Sequence, residues 1–178
     1  MSQTIQIKDK LFGLYLPESK IQERITSLAS QLNKEYQDKN PVFISILNGS
    51  FFFAADLLKN FNSACEITFV RLASYKGLGS TGKVKILLGL MQNIKDRHVV
   101  IIEDIVDSGR TMVQMLGLLE NHQAKSIKVA TLLLKKEALV ENIEPDYVGF
   151  EVPNKFLVGY GLDYDEAGRN LRDLYILK

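Results

Sequence analysis

Val99-Val100-Ile101-Ile102-Glu103-Asp104-Ile105-Val106-Asp107-Ser108-Gly109-Arg110-Thr111-Met112 is the stretch that decides how this chain is read. Its first four residues are apolar and β-branched, as in a strand buried on both faces. Two adjacent carboxylates then end the apolar run, and an Asp-Ser-Gly-Arg-Thr turn follows. Met112, Met115, Leu116 and Leu119 continue at helical spacing. A helix N-terminus offers unpaired N–H groups and the positive end of a dipole, which suits a phosphate monoester. Gly109 lets backbone approach a ligand closely, and Ser108 and Thr111 add hydroxyl donors. Glu103 and Asp104 stand just upstream, about one sugar away. Carboxylates there can accept from ribose hydroxyls or help hold a hydrated Mg²⁺. The plainer alternative is a strand and a capped helix, with Asp107 or Ser108 as the N-cap.

Elements of the same kind lie on both sides. Ile21, Ile25, Leu28, Leu32 and Tyr36 draw one helical stripe, with Ser19 and Gln22 placed for a capping box and Asn40-Pro41 for a stop. Val42–Leu47 reads as a buried strand, Asn48-Gly49-Ser50 as a turn, and Phe51–Leu58 as a buried helix. Ala64–Leu72 and Lys83–Leu90 read as strands flanking a loop that carries Gly77, Gly79 and Gly82, so the three could form a long hairpin. His98–Ile105, Ser126–Leu134, Tyr147–Val152 and Phe156–Tyr160 complete the strands. Strands alternating with helices predict an α/β domain with a mainly parallel sheet. Ligands of such sheets bind beyond the carboxyl ends of the strands, where the loops after Leu47 and Ile105 emerge.

The chain has 178 residues, suited to one domain with one core. Its 22 Lys and Arg against 21 Asp and Glu leave a net charge of +1, so no global field favours nucleic acid or an anionic membrane. Cys65 is the only cysteine, which excludes an internal disulfide and a thiolate metal cluster; two histidines argue against a His-rich zinc site. No basic start with an apolar run opens the sequence, and no apolar stretch approaches the ~20 residues that span a bilayer. The expected setting is reducing and cytoplasmic.

The run around Glu103 to Thr111 closely resembles the phosphoribosyl diphosphate motif of type I phosphoribosyltransferases. Leu47-Asn48-Gly49-Ser50 resembles the diphosphate loop of the hypoxanthine-guanine branch, and Ser74-Tyr75 its mobile-loop pair. Leu133-Leu134-Lys135 and Val148–Tyr164 resemble its base-binding half. The resemblance covers roughly Pro41 to Arg169, in order. Two positions depart from it: Asn48 stands where many relatives carry Lys or Arg, and Arg110 where Lys is common.

The resemblance implies the type I phosphoribosyltransferase fold: one domain over residues 1–178, with a mainly parallel sheet flanked by helices. A small base-binding hood would come from the N-terminal segment and about 150–178. It implies transfer of a 5-phosphoribosyl group to hypoxanthine or guanine, with Mg²⁺ as cofactor and a homodimer or homotetramer as the assembly. Asp107 would be the proton acceptor near purine N7. Glu103, Asp104, Asp107, Ser108, Gly109, Arg110 and Thr111 would bind the ribose phosphate. Leu47, Asn48, Gly49, Ser50 and Arg169 would bind the diphosphate side, where the family usually holds a cis bond at Leu47-Asn48. Lys135 would donate to the 6-oxo group, since an ammonium has donors only. Phe156 would stack on the base and Leu157 would read it through its backbone. Glu103 and Asp104 would hold one Mg²⁺ and Asp163 a second. Ser74 and Tyr75 would begin a lid, and Lys155 would lie near the diphosphate. Two alternatives stand beside this: a ligand-sensing regulator on the same fold, and an enzyme that prefers xanthine. No appended DNA-binding segment or basic excess supports the first, and Lys135 separates xanthine poorly.

Overall fold

The structure is a computed structural model and describes residues 4–74, 84–88, 90 and 92–178. Among the described residues, ten strands and three α-helices follow in chain order. They are β1 (Thr4–Ile7), β2 (Lys10–Leu16), α1 (Glu18–Tyr36), β3 (Val42–Leu47), α2 (Phe51–Lys59), β4 (Glu66–Ser74), β5 (Val84–Leu88), β6 (His98–Val106), α3 (Arg110–Leu119), β7 (Ser126–Leu134), β8 (Tyr147–Glu151), β9 (Leu157–Val158) and β10 (Leu174–Leu177).

The larger sheet has the order β5-β4-β3-β6-β7-β8. The five strands from β4 to β8 run parallel, and β5 is an antiparallel edge on β4. The parallel α/β sheet read from the sequence is therefore present, as is the antiparallel pairing of the predicted strands Ala64–Leu72 and Lys83–Leu90. β6 lies inside the sheet between β3 and β7, and this explains its unbroken apolar run. Alternate residues of β3 and β6 divide the core. Phe43, Val100 and Ile102 meet α1 and α2 on one face. Val42, Ile44, Val99 and Ile101 meet Met112, Met115 and Leu119 of α3 on the other. Each fully buried branched side chain stabilises this packing by roughly 1.5–3 kcal/mol relative to exposure.

The stripe of α1 is buried as its spacing predicts, from Ile21 to Tyr36. Its ends differ from the reading. Pro17 is the N-cap, and the first N–H of the helix, on Glu18, donates to Asp173 Oδ1 at 2.7 Å, so Ser19 and Gln22 form no capping box. Proline already sets φ for a helix start, and Gln22 instead reaches Asp56 across to α2 at 2.7 Å. The helix also stops at Tyr36, before Asn40-Pro41.

The second sheet, β1-β2-β10-β9, joins the two ends of the chain in antiparallel register. Its strands β1, β2 and β10 have no counterpart in the pattern reading. Its core is small: Phe12, Val158 and Tyr175. The predicted strand Phe156–Tyr160 shrinks to Leu157–Val158, because Gly159, Tyr160 and Gly161 all take positive φ and turn the chain.

Candidate active site

The parallel sheet gathers its loops at one edge. β3 delivers Asn48-Gly49-Ser50, β6 delivers Asp107-Ser108-Gly109, and β7 delivers Lys135. The strand-turn-helix run is present as predicted, with one correction. Gly109, at φ +83°, is the N-cap of α3, so neither Asp107 nor Ser108 caps it. No side chain fills the cap, and the first N–H groups of α3 stay available to an anion. Ser108 is held from behind, its carbonyl accepting from Val140 and Glu141 N–H at 3.1 and 3.2 Å. A Cβ at position 109 would lie 3.1 Å from Glu141 Cβ at a φ that side chains avoid. The resulting cradle encloses a cavity of about 60 Å³ lined by Glu103 and by Asp107, Ser108, Gly109, Thr111 and Met112. Arg110 and Thr111 are exposed at its rim.

Glu103 and Asp104 are both buried, and Glu103 Oε2 has no hydrogen-bond partner. Burial, then the neighbouring Asp104 carboxylate, pushes the Glu103 carboxyl well above its ordinary range. Burial also raises Asp104, against the opposing pull of its hydrogen bonds and of Arg169. Two carboxyls in this state await a cation or share a proton.

Asp104 faces the loop after β3. A Cβ on Gly49 would sit 1.6 Å from Asp104 Oδ2, and one on Gly161 would sit 2.0 Å from the Gly49 carbonyl oxygen. Three distant segments thus meet with no room for a side chain. The Leu47-Asn48 peptide is cis. Ser50 Oγ donates to the Ile46 carbonyl at 2.5 Å and lies 2.7 Å from Ser45 Oγ, so its hydroxyl serves the loop itself.

Lys135 is buried, and its Nζ donates to Asp107 Oδ2 at 2.7 Å, whereas the Asp107 side chain is half exposed. The two residues stand on adjacent strand ends, 28 positions apart in sequence. Phe156 is not a core residue: it is 44% exposed, supported by Phe12 and Tyr164 at ring separations of 6.3 and 5.8 Å. Leu157 behind it is buried in β9. Arg169 bridges two parts of one turn, donating to the Gly161 carbonyl at 2.8 Å and pairing with Asp163 at 2.6 Å. Asp163 also accepts from Glu166 N–H at 2.8 Å. Among the described residues, no three acidic, His or Cys side chains form one metal-sized cluster, so Asp163 does not join Glu103 and Asp104. Ser74 ends β4, Tyr75 lies outside the described residues, and Lys155 N–H turns back onto the Pro153 carbonyl at 2.7 Å.

Pattern reading missed Asp56, Gln22 and Tyr160. Tyr160 Oη donates to Asp56 Oδ2 at 2.5 Å, beside the Gln22 contact. The Gly159-Tyr160-Gly161 sequence was a usable sign of an unusual turn. Nothing in the sequence marked Asp56.

Residues 15–165 match the family model of the phosphoribosyl transferase domain. A hypoxanthine-guanine phosphoribosyltransferase of Streptococcus pyogenes is 44% identical over 162 residues, 90% of each chain. The chain is 44% identical to a bifunctional protein TilS/HprT of Listeria monocytogenes, of which it spans only about a quarter (25%). Among solved structures, a hypoxanthine phosphoribosyltransferase from Staphylococcus aureus superposes with a TM-score of 0.88 at 40% identity, covering 93% of this chain and 90% of that one. With its strand order, the strand-turn-helix run after β6 and these similarities, the chain belongs to the phosphoribosyltransferase family, in the hypoxanthine-guanine branch.

Proposed function

We propose that this protein transfers the 5-phosphoribosyl group of phosphoribosyl diphosphate to hypoxanthine or guanine, a purine salvage reaction that yields IMP or GMP and diphosphate. The observation that carries this reading is the Lys135–Asp107 pair beside the uncapped cradle of α3. A 6-oxo purine presents an acceptor at O6 and a proton at N7, and the pair offers a donor and an acceptor in matching order. Adenine, with an amino group at that position, gives Lys135 nothing to donate to.

The cradle from Asp107 to Thr111 holds the 5′-phosphate and so supplies binding energy remote from the reacting carbon. Glu103 and Asp104 lie toward the ribose. Backbone N–H groups of Asn48, Gly49 and Ser50 receive the diphosphate, with Arg169 close by and Lys155 at the margin. Purine N9 attacks the anomeric carbon as the bond to diphosphate oxygen breaks, and Asp107 accepts the N7 proton. Phe156 stacks on the base with its exposed face, worth about 1–3 kcal/mol, and Leu157 contacts it through backbone. Ser74 and Tyr75 open the lid that keeps water from the cationic ribose.

The orphaned Glu103 oxygen beside a second buried carboxylate fits a hydrated Mg²⁺, which takes one or two carboxylates and fills its shell with water and substrate. Glu103 and Asp104 would hold it, and Asp163 would meet a second ion through water, since its own oxygens already serve Arg169 and Glu166. When bound, the ion supplies charge to offset the departing diphosphate.

The hood is the β1-β2-β10-β9 sheet with the turns that follow it. Among the described residues, no helix is long and apolar enough to cross a membrane, and the proposed location is the cytoplasm. The proposed assembly is a homodimer or homotetramer. Ile67 and Phe69, each more than a third exposed, share a sheet face with Phe43 and offer an apolar contact strip.

The test is a spectrophotometric assay with phosphoribosyl diphosphate, Mg²⁺ and, separately, hypoxanthine, guanine, xanthine, adenine and uracil, with light scattering on the same sample. Turnover of hypoxanthine or guanine that stops on chelation is expected, from particles of two or four chains. Phosphoribosyl diphosphate binding without turnover of any base would favour a sensor, and turnover of xanthine alone would replace the substrate.

A further inference from the structure

Gly49 is the tightest point of the site, with the Asp104 carboxylate on one side and the Gly161 backbone on the other. The position of the loop after β3 is therefore set by whatever holds Gly161 down. Gly161 belongs to a turn in which three successive residues have positive φ: Gly159 at +100°, Tyr160 at +45° and Gly161 at +97°. Glycine adopts this region freely, but a bulky aromatic does so only when its surroundings compel it. The backbone of Tyr160 is tied by its N–H to the Leu171 carbonyl at 2.8 Å, and Gly161 N–H to the Arg169 carbonyl at 3.0 Å. These contacts hold the turn to its own segment, not to the loop.

The side chain of Tyr160 makes the link to the loop. Its hydroxyl donates to Asp56 Oδ2 at 2.5 Å, and Gln22 Nε2 donates to the same oxygen at 2.7 Å. Lys59 Nζ takes the other oxygen at 2.6 Å. Asp56 sits on α2, the helix that begins directly after Ser50. Burial alone would raise its carboxyl, yet the donors Lys59, Tyr160 and Gln22 hold it below its ordinary value, so it stays an ionised acceptor. The Tyr160 ring packs on Phe52, at 5.7 Å between centroids, on the same helix. Helix, tyrosine and turn thus close a ring around Asn48-Gly49-Ser50.

We infer that Tyr160, anchored by Asp56 and Gln22, is a positioning residue that fixes the loop after β3 for the diphosphate group. It touches no substrate and acts through Gly161 on Gly49. This rests on the proposed assignment of that loop to diphosphate. Lys135 and Phe156, which flank the proposed purine site, bond to Asp107 and pack on Phe12 and Tyr164 and not on this ring, so the purine should be indifferent to it.

Tyr160→Phe removes one oxygen and leaves the ring against Phe52. Wild-type protein is first titrated calorimetrically with Mg²⁺-diphosphate; no binding would remove the loop assignment and this inference with it. Given wild-type binding, the variant is expected to lose about tenfold in diphosphate affinity and in the KM for phosphoribosyl diphosphate, the scale of one hydrogen bond to a charged group. The hypoxanthine KM should stay within twofold. Asp56→Asn retains an acceptor for Tyr160 and should lose less, and Tyr160→Phe added to it should bring no more than the single Tyr160→Phe loss. Unchanged diphosphate affinity, or equal losses for both substrates together with a lowered melting temperature, would overturn the inference and leave Tyr160 a structural residue.

Discussion

The two halves of the site are built in opposite ways. The proposed phosphate cradle comes from one unbroken run, Glu103 to Met112, in which each part positions the next: strand, acids, turn, helix. The proposed diphosphate side is assembled from the loop after β3, helix α2 and the turn around Gly161, and the proposed base side from Lys135 and Phe156, brought together only when the small sheet docks on the large one. A contiguous site depends on local geometry and survives distant disturbance. An assembled site inherits the errors of every element that supports it. The cradle should accordingly tolerate changes in the turn around Gly161, whereas diphosphate binding should not.

The largest effect is expected where the assembled half has no slack. Gly161→Ala would place a Cβ 2.0 Å from the Gly49 carbonyl oxygen and impose a positive φ on alanine. Turnover should fall by at least ~10²-fold, the scale of a small misplacement near the chemistry. A phosphate monoester such as ribose 5-phosphate should still bind the cradle with near wild-type affinity by calorimetry. Equal loss at both places would show that the halves are not separable.

A chemically distinct effect is expected at the pair that joins them. Asp107→Asn keeps an acceptor for Lys135 but removes the base, so kcat should drop about 10²–10³-fold with phosphoribosyl diphosphate affinity nearly intact. Lys135→Ala leaves the half-exposed Asp107 solvated and should act mainly on purine KM, about tenfold, for hypoxanthine but not for diphosphate. Steady-state kinetics with each substrate varied in turn separates the two. If Lys135→Ala weakened both substrates alike, the lysine would belong to the scaffold and not to base selection.

Much was legible before any coordinates. The β6 apolar run, the acid pair, the turn and the α3 stripe each depend on neighbours a few residues away, and periodicity and glycine placement report such neighbours directly. The parallel sheet followed from the alternation of strands and helices. β2 and β10 escaped because they become strands by pairing with each other across more than 150 residues, with Phe12 and Leu177 in register; β1, four residues long, escaped although it pairs locally with β2. The α1 start was misread because a Ser and a Gln three apart look like a capping box, while Gln22 was committed to Asp56 on another helix.

The sequence by itself determined the strand-turn-helix run, the acid pair at its strand end and the α/β class, because these are local patterns of polarity and backbone freedom. Only the tertiary structure decided that Lys135 faces Asp107, that Gly161 closes on Gly49, and that Tyr160 reaches Asp56. Those contacts cross 28, 112 and 104 positions of the sequence, by difference of the residue numbers. Contacts at such separation are fixed by how two sheets and two helices pack, a property of the whole core that no short window of sequence contains.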